Sequence, residues 1–205
     1  MKRLLPVSAC VAVAGFAIES QAQLVQWAPR TPGGRLDPLL AYDSRRAVTI
    51  LFGGFGGSSD TWEWDGAAWT ARATTGPSPR SGSGMVYDSQ RGVAVLFGGS
   101  FGVATPPPLG DTWEWDGAAW TQRIVTGPPA RVGFAMAYDS ARGMTVVFGG
   151  SQSPTVFGDT WGWNGTNWAQ LASIGPSPRS FASMAFDSQR GVAVLFGGSG
   201  VETWE

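Results

Sequence analysis

The fold of this chain is decided by the stretch Gly84–Gly99, which reads Gly-Met-Val-Tyr-Asp-Ser-Gln-Arg-Gly-Val-Ala-Val-Leu-Phe-Gly-Gly. After a variable loop comes Gly-Asp-Thr-Trp-Glu-Trp-Asp-Gly-Ala-Ala-Trp, at Gly110–Trp120. The chain of 205 residues contains this unit four times, the last copy being incomplete. The first residues of the Gly-Gly pairs are spaced by 45, 51 and 48 positions and are Gly53, Gly98, Gly149 and Gly197. A period of this length indicates a protein built from neighbouring copies of one small unit.

Each unit contains four predicted strands and no predicted helix. In the clearest copy, strand a ends in Met85-Val86-Tyr87, and strand b is the apolar run Val93–Phe97. Strand c covers Thr112–Trp115, where the two tryptophans share a face by period-two alternation. Strand d begins near Trp120 and runs to about Ile124. The apolar runs are too short, and their period is wrong, for a helix, so the predicted fold class is all-β.

The predicted turns explain how these strands connect. Asp-Gly or Asn-Gly separates strands c and d, as in tight hairpins whose turn residues adopt positive φ. Between strands a and b, Gly92 is the expected left-handed residue, and Asp88 is expected to accept hydrogen bonds from turn amides. The first unit has Ala47 at the position of Gly92, so we expect a strained turn there.

The position of a binding site follows from strand direction. In an up-down-up-down sheet, the b–c and d–a loops share one face. The b–c loops differ greatly between units in length and composition, whereas the a–b and c–d turns barely vary. Binding residues are often carried on loops that a rigid scaffold positions. We therefore expect any site on the b–c/d–a face.

The repeated unit resembles the Kelch motif. The shared marks are an apolar strand ending in Gly-Gly, a spaced aromatic residue, and a Trp at the start of the last strand; they cover Trp27–Glu205. The resemblance implies a β-propeller of four-stranded antiparallel blades, with strand a lining the channel and strand d outermost. It predicts one propeller domain over 23–205, with repeats at about 35–79, 80–130, 131–178 and, incomplete, 179–205. Many members of the family are binding platforms.

The number of blades differs from the usual six or seven of that family. Leu24-Val25-Gln26-Trp27 looks like an isolated strand d, three full units follow, and the chain ends at Glu205 within a strand c. The lone strand d could complete the last unit and close a four-bladed ring. Alternatively, the chain is the front of a longer propeller, which is the interpretation we favour, or two copies form a larger ring. An incomplete propeller would leave open strand edges and could self-associate.

The N-terminus has the pattern of a secretory signal peptide over residues 1–22. Lys2 and Arg3 precede an apolar run from Leu4 to Ile18, and Ser20-Gln21-Ala22 suits signal peptidase. The apolar run is too short for a membrane span. We therefore expect a secreted or periplasmic protein whose mature chain has no Cys, because the only Cys is Cys10.

The composition disfavours several functions. With 14 basic and 15 acidic residues, the chain has no excess of positive charge to suggest nucleic-acid binding. It has no His, the commonest general base and metal ligand. The copper site of galactose oxidase, another Kelch-like propeller, needs His ligands and a Cys–Tyr cross-link, so that chemistry is not carried over. We expect no cofactor, no metal and no catalytic residue.

The candidate ligand-binding residues belong to two sets. Three phenylalanines, each followed by Gly in a variable loop, could stack on a ligand: Phe55, Phe101 and Phe157. Three repeated arginines could line an anion-binding mouth: Arg80, Arg131 and Arg179. For the arginines, together with Arg35, the alternative is an ion pair with Asp60, Asp111 or Asp159 of a loop. The repeated tryptophans are expected to pack between strands, and the repeated turn aspartates to cap turns.

Three hypotheses about function follow. The first is a non-catalytic protein that binds a protein or glycan through its variable loops. The second is an enzyme that acts on glycans as a lyase, epimerase or hydrolase, using arginines and carboxylates from several blades. It needs non-repeated acids that converge on the variable face, and only Glu202, which replaces the Asp of the other units, is unusual. The third is a surface or matrix scaffold.

Overall fold

A computed structural model describes residues 34–54, 59–101, 107–198 and 200–205. These residues form strands, turns and loops, and no helix occurs among them. The predicted signal peptide and the lone strand at Leu24–Trp27 lie outside the described residues, as does Phe55.

Four antiparallel sheets follow one another along the chain. In each of the first three, the four principal strands pair in chain order, from a to d. The first sheet contains β1 (Leu39–Asp43), β2 (Val48–Phe52), β3 (Thr61–Trp64) and β4 (Trp69–Ala73). The second contains β5 (Gly84–Asp88), β6 (Val93–Phe97), β7 (Thr112–Trp115) and β8 (Trp120–Arg123).

The third sheet contains β9 (Ala135–Asp139), β10 (Met144–Phe148), β13 (Thr160–Trp163) and β14 (Trp168–Ala172). Its b–c loop carries a small separate hairpin of β11 (Ser151–Gln152) and β12 (Thr155–Val156), which the sequence analysis did not predict. The fourth sheet has three described strands, β15 (Ala182–Asp187), β16 (Val192–Gly197) and β17 (Thr203–Trp204).

The sheets are arranged as the blades of a four-bladed β-propeller, which confirms the predicted fold class. The first strand of each sheet is innermost, and β5 lies between β1 and β9, while β9 lies between β5 and β15. Strands b and c of the second unit begin and end where the sequence predicted. Strand d ends one residue earlier than expected, at Arg123.

Carboxylates and left-handed glycines form the turns, as predicted. The Asp88 Oδ1 accepts hydrogen bonds from the backbone N–H groups of Gln90 and Arg91, at 3.0 and 2.9 Å. Gly92 follows at φ 76°. In the first sheet Ala47 occupies the same conformation at φ 55°, a region in which L-residues are strained, which confirms the expected strain.

Tryptophans from each outermost strand fill the space beside the preceding sheet. The Trp120 ring lies 5.2 Å from that of Phe52, and its Nε1 donates to Thr61 Oγ1 at 2.7 Å. Trp168 repeats the arrangement one sheet later, with Phe97 at 5.1 Å and Thr112 Oγ1 at 2.9 Å. The predicted packing role of these tryptophans is therefore confirmed. Each sheet is joined to its neighbour by a buried aromatic contact and a hydrogen bond.

Two buried glutamates connect the sheets from strand c. Glu114 accepts hydrogen bonds from Arg91, from Arg123 Nε at 2.7 Å and from the Trp163 Nε1 of the next sheet at 2.8 Å. Glu63 is surrounded in the same way by Arg46, Arg72 and Trp115, one sheet earlier. Both carboxylates are almost fully buried, so their charges depend on these donors.

Candidate functional site

The face formed by the b–c and d–a loops is held by a ladder of ion pairs. Arg80 donates to both oxygens of Asp111, at 2.7 and 3.0 Å, and Arg131 does the same to Asp159, at 2.7 and 3.1 Å. Arg35 and Asp60 form the corresponding pair in the first sheet. The ion pairs that the sequence offered as an alternative role are thus confirmed. Each pair joins a d–a loop to the b–c loop of the same blade.

These arginines are buried and make several contacts. Arg80, Arg131 and Arg179 have relative exposures of only 2, 0 and 2%. Besides its carboxylate, Arg131 donates to the backbone carbonyls of Pro129 and Gly149, at 3.0 and 2.9 Å. A guanidinium with this many partners stabilises the loops. Direct contact of these three arginines with a ligand stays a prediction.

The last member of the ladder is built differently. Arg179 faces Glu202 rather than an aspartate, at 3.7 Å, and the Glu202 side chain is exposed. Arg179 is still fixed by the Ser177 hydroxyl at 2.9 Å and the Gly197 carbonyl at 3.2 Å. The fourth blade therefore retains the buried arginine but has a looser b–c loop contact.

Arg131 and Phe157, two of the predicted site residues, lie together. The guanidinium carbon is 4.1 Å from the centroid of the Phe157 ring, a cation–π contact. Phe157 directly follows the β11–β12 hairpin, and its backbone N–H donates to the Gly150 carbonyl at 2.8 Å. Phe101 is on the loop of another blade, and its side chain is exposed. The structure therefore gives the three predicted phenylalanines no shared cluster, since Phe55 is outside the described residues.

A groove of about 470 Å³ opens beside Phe157 on this face. One wall is the end of the β11–β12 hairpin, and the other is the d–a loop between the third and fourth sheets. Its lining includes Val156, Phe157, Asp159, Ile174, Pro176 and Pro178. Ile174 is 90% exposed and Val156 is also exposed. The Asp159 carboxylate is held by Arg131 and by Trp161 Nε1, so the surface available to a ligand is mostly apolar.

Sequence reasoning found the correct face but missed this groove. It read residues 151–158 only as a loop of intermediate length, and it did not consider Val156 or Ile174. The signal that was available is Ser153-Pro154 between short polar and β-branched residues, which favours a turn between two strands. Nothing in the sequence showed that this hairpin would stand opposite the 173–178 loop.

The carboxylates of the ion-pair ladder have altered acidities. Burial raises the pKa of Asp111, but the hydrogen bond and charge of Arg80 outweigh it, so the pKa is below its ordinary value of 3.8. The pKa of Asp159 is lowered in the same way, by Arg131 against the effect of burial. Both groups are therefore expected to remain ionised in the folded protein at neutral pH and to hold the loops.

Acid is expected to remove the stability that Asp111 contributes. Because its folded pKa is below its unfolded value, the contribution is complete above about pH 4 to 5 and is lost as pH falls through the folded pKa. Urea unfolding from pH 7 down to about pH 2.5 measures this effect. An Asp111→Asn variant should be less stable at pH 7 and should lose less stability on acidification than the parent. An equal loss in both proteins would show that this ion pair does not set the acid response.

Two general features of the described chain bear on the site. No helix long and apolar enough to cross a membrane occurs in the part of the chain that the structure describes. Within the same residues, no group of three or more Asp, Glu, Cys or His side chains is arranged to hold a metal ion.

Comparison with known proteins supports the architecture. No protein-family model matches the chain, and no curated protein matches it. Among solved structures, the chain is similar to one titled "Structure of YjhT", with a TM-score of 0.69 and 14% sequence identity. The match covers 83% of this chain but 60% of that chain. At this identity the similarity shows the fold alone, so the chain belongs to the structural class of β-propellers, a class that commonly provides scaffolds for binding.

Proposed function

We propose that this protein is a non-catalytic, Kelch-type binding protein that takes an apolar segment of a protein ligand into the groove beside Phe157. The observation that carries the proposal is the groove itself, with exposed Val156 and Ile174 on opposite walls. Exposed apolar side chains gathered in a concave site on a rigid scaffold are typical of interaction surfaces.

The lining favours a protein ligand over a glycan. Three prolines and aliphatic residues lie close together in the walls, and the one carboxylate is occupied by Arg131 and Trp161. Apolar grooves of this kind suit extended or proline-containing peptide segments. A sugar site would be expected to offer several free hydrogen-bonding side chains beside an aromatic face. We keep glycan binding as an outcome that the test can reveal.

The test compares two exposed isoleucines. Ile174 is in the groove, whereas Ile124 occupies an exposed position after β8 in the second blade, at 84% exposure. Proteins captured from the producing cell's envelope and medium are identified, and their affinities for the parent, Ile174→Asp and Ile124→Asp are measured. A genuine ligand should bind Ile174→Asp at least about tenfold more weakly, the change expected for a residue worth over 1 kcal/mol at an interface.

Other outcomes would overturn the proposal. Unchanged affinity in Ile174→Asp, or an equal loss in Ile124→Asp, would separate binding from the groove. Binding on a glycan array that survives Ile174→Asp would move the site elsewhere. Both variants alter exposed side chains, so they are expected to fold, and circular dichroism verifies this.

The signal-peptide pattern supports a secreted or periplasmic location for this function. Expression with the native N-terminus should yield a mature chain that begins at Gln23, as measured by N-terminal sequencing of the exported protein. An uncleaved chain retained in the cytoplasm would contradict this part of the proposal.

A further inference from the structure

A cavity of about 410 Å³ lies between the third and fourth sheets, where an outermost strand stands in the other blades. It is lined by Phe148, Thr160 and Gly175, together with Leu195 and Trp204 of the fourth sheet. On the side away from β16, no described strand pairs with β17. The cavity is therefore open along a strand edge.

Internal repetition shows what such a cavity accepts. Phe148 and Thr160 occupy the positions that Phe97 and Thr112 occupy one sheet earlier, where Trp168 packs on the ring and donates to the hydroxyl. Gly127 leaves room for that indole, since a Cβ there would lie 2.6 Å from Trp168 Cδ1.

Gly175 is the counterpart of Gly127, but a Cβ on it would meet nothing within 4 Å. Phenylalanine, threonine and glycine thus surround an unfilled place with the same residue types that hold an indole elsewhere. The chemistry that fits is a β-strand carrying a tryptophan, which would pair with β17.

The chain contains one segment with the right position to be such a strand. Ten of its eleven tryptophans lie in the described sheets, and the eleventh is Trp27. The connections from an outermost strand to the next innermost strand have ten, eleven and nine residues, and eleven residues lie between Trp27 and Leu39 of β1. Leu24–Trp27 therefore has the spacing of a strand that belongs to the sheet before the first one.

That preceding sheet cannot be the fourth sheet of the same chain in this arrangement. Tyr42 on β1 is 58% exposed and Phe196 on β16 is 54% exposed, although their counterparts in the interior of the arc are covered by neighbouring sheets. For example, Tyr87 lies beside Asp43 of the preceding sheet, and burial together with this carboxylate raises the pKa of Tyr87 to about 12. The first and fourth sheets thus expose faces that complement each other, because each resembles one side of an internal contact.

We propose that two copies of this chain associate head to tail, with Leu24–Trp27 of one copy completing the fourth sheet of the other and Trp27 filling the cavity at Gly175. The first sheet of the donor then packs on the fourth sheet of the acceptor, as neighbouring sheets do within the chain. Such an interface is heterologous, since the two copies contribute different surfaces, and it can add further copies.

Two variants separate the donor from the acceptor. Trp27→Ala removes the side chain that enters the cavity. Gly175→Val fills the cavity, and it should fold because Gly175 has an ordinary φ and open space around its Cβ position. Ala118→Val, in an exposed turn of the second sheet, is the control for added bulk. Analytical ultracentrifugation of the full chain measures self-association, and thermal unfolding confirms that each variant is folded.

The parent and Ala118→Val are expected to form dimers and larger species as concentration rises. Each of the other variants alone should associate at least about thirtyfold more weakly, the fold-change for loss of a central tryptophan. An equimolar mixture of Trp27→Ala and Gly175→Val should regain dimers, because the first supplies an intact cavity and the second an intact strand. A parent that stays monomeric, a Gly175→Val that associates like the parent, or a mixture that stays monomeric would overturn the proposal.

Discussion

Replacing Glu114 by Ala is expected to lower the free energy of unfolding by about 3–5 kcal/mol, the cost of breaking a buried ion pair from one side. Its carboxylate accepts from Arg91, Arg123 and the Trp163 indole, and only 2% of its side chain is exposed. Removing the acceptor leaves a charge and an indole N–H without their partner between two blades. Urea unfolding monitored by tryptophan fluorescence measures the loss.

The third blade supplies the control for this experiment. At the positions of Glu114, Arg123 and Val93 it has Gly162, Leu171 and Met144, and the two apolar side chains approach the glycine closely. The triple variant Glu114→Gly, Arg123→Leu, Val93→Met transfers this apolar arrangement to the second blade. It should recover part of the loss, because the Trp163 N–H still lacks an acceptor, at a cost of about 1–3 kcal/mol. A loss below about 1 kcal/mol in Glu114→Ala would show that the buried carboxylate is dispensable.

Replacing Trp168 by Ala should destabilise the protein by a similar amount, about 3–5 kcal/mol. The Trp168 ring packs on Phe97 and on Trp163, with centroids 5.1 and 5.6 Å away, and its N–H donates to Thr112. Its removal would open, between the second and third sheets, a cavity like the one at Gly175. The midpoint of chemical unfolding measures the effect.

Two further measurements identify the cause of that loss. Trp168→Phe retains an aromatic ring but loses the hydrogen bond to Thr112, so it should cost clearly less than Trp168→Ala. Added indole should raise the melting temperature of Trp168→Ala more than that of the parent, because a ligand that binds only the folded state stabilises it. If Trp168→Ala and Trp168→Phe were equally unstable, the hydrogen bond rather than the packing would be the main contribution.

The candidate site could be predicted from the sequence only in part. The variable loops marked the correct face, and the repeated Arg and Asp residues allowed their ion pairs to be anticipated. The groove beside Phe157 could not be predicted, because it is formed by Val156 and Ile174, which are 18 residues apart and belong to different loops. Their opposition depends on how the β11–β12 hairpin folds over the third blade.

The glutamate network illustrates the same limit. Glu63 and Glu114 alternate with tryptophans in strand c, a pattern that by itself would suit a solvent-facing charge. Their burial depends on arginines from two other strands of the same blade and on a tryptophan from the next blade. A charged residue can be buried only when such partners surround it, and the sequence does not show which partners meet.

The sequence alone determined the all-β class, the four repeated units, and the limits of strands b and c in the clearest unit. It could do so because these properties depend on local features: period-two alternation, apolar runs of five residues, and Asp-Gly turns that repeat in register. Only the tertiary structure decided which charges are buried, where the groove opens, and that the place beside Phe148 and Gly175 lacks an indole. Those properties arise between blades, where contact depends on the packing of surfaces that are distant in the chain.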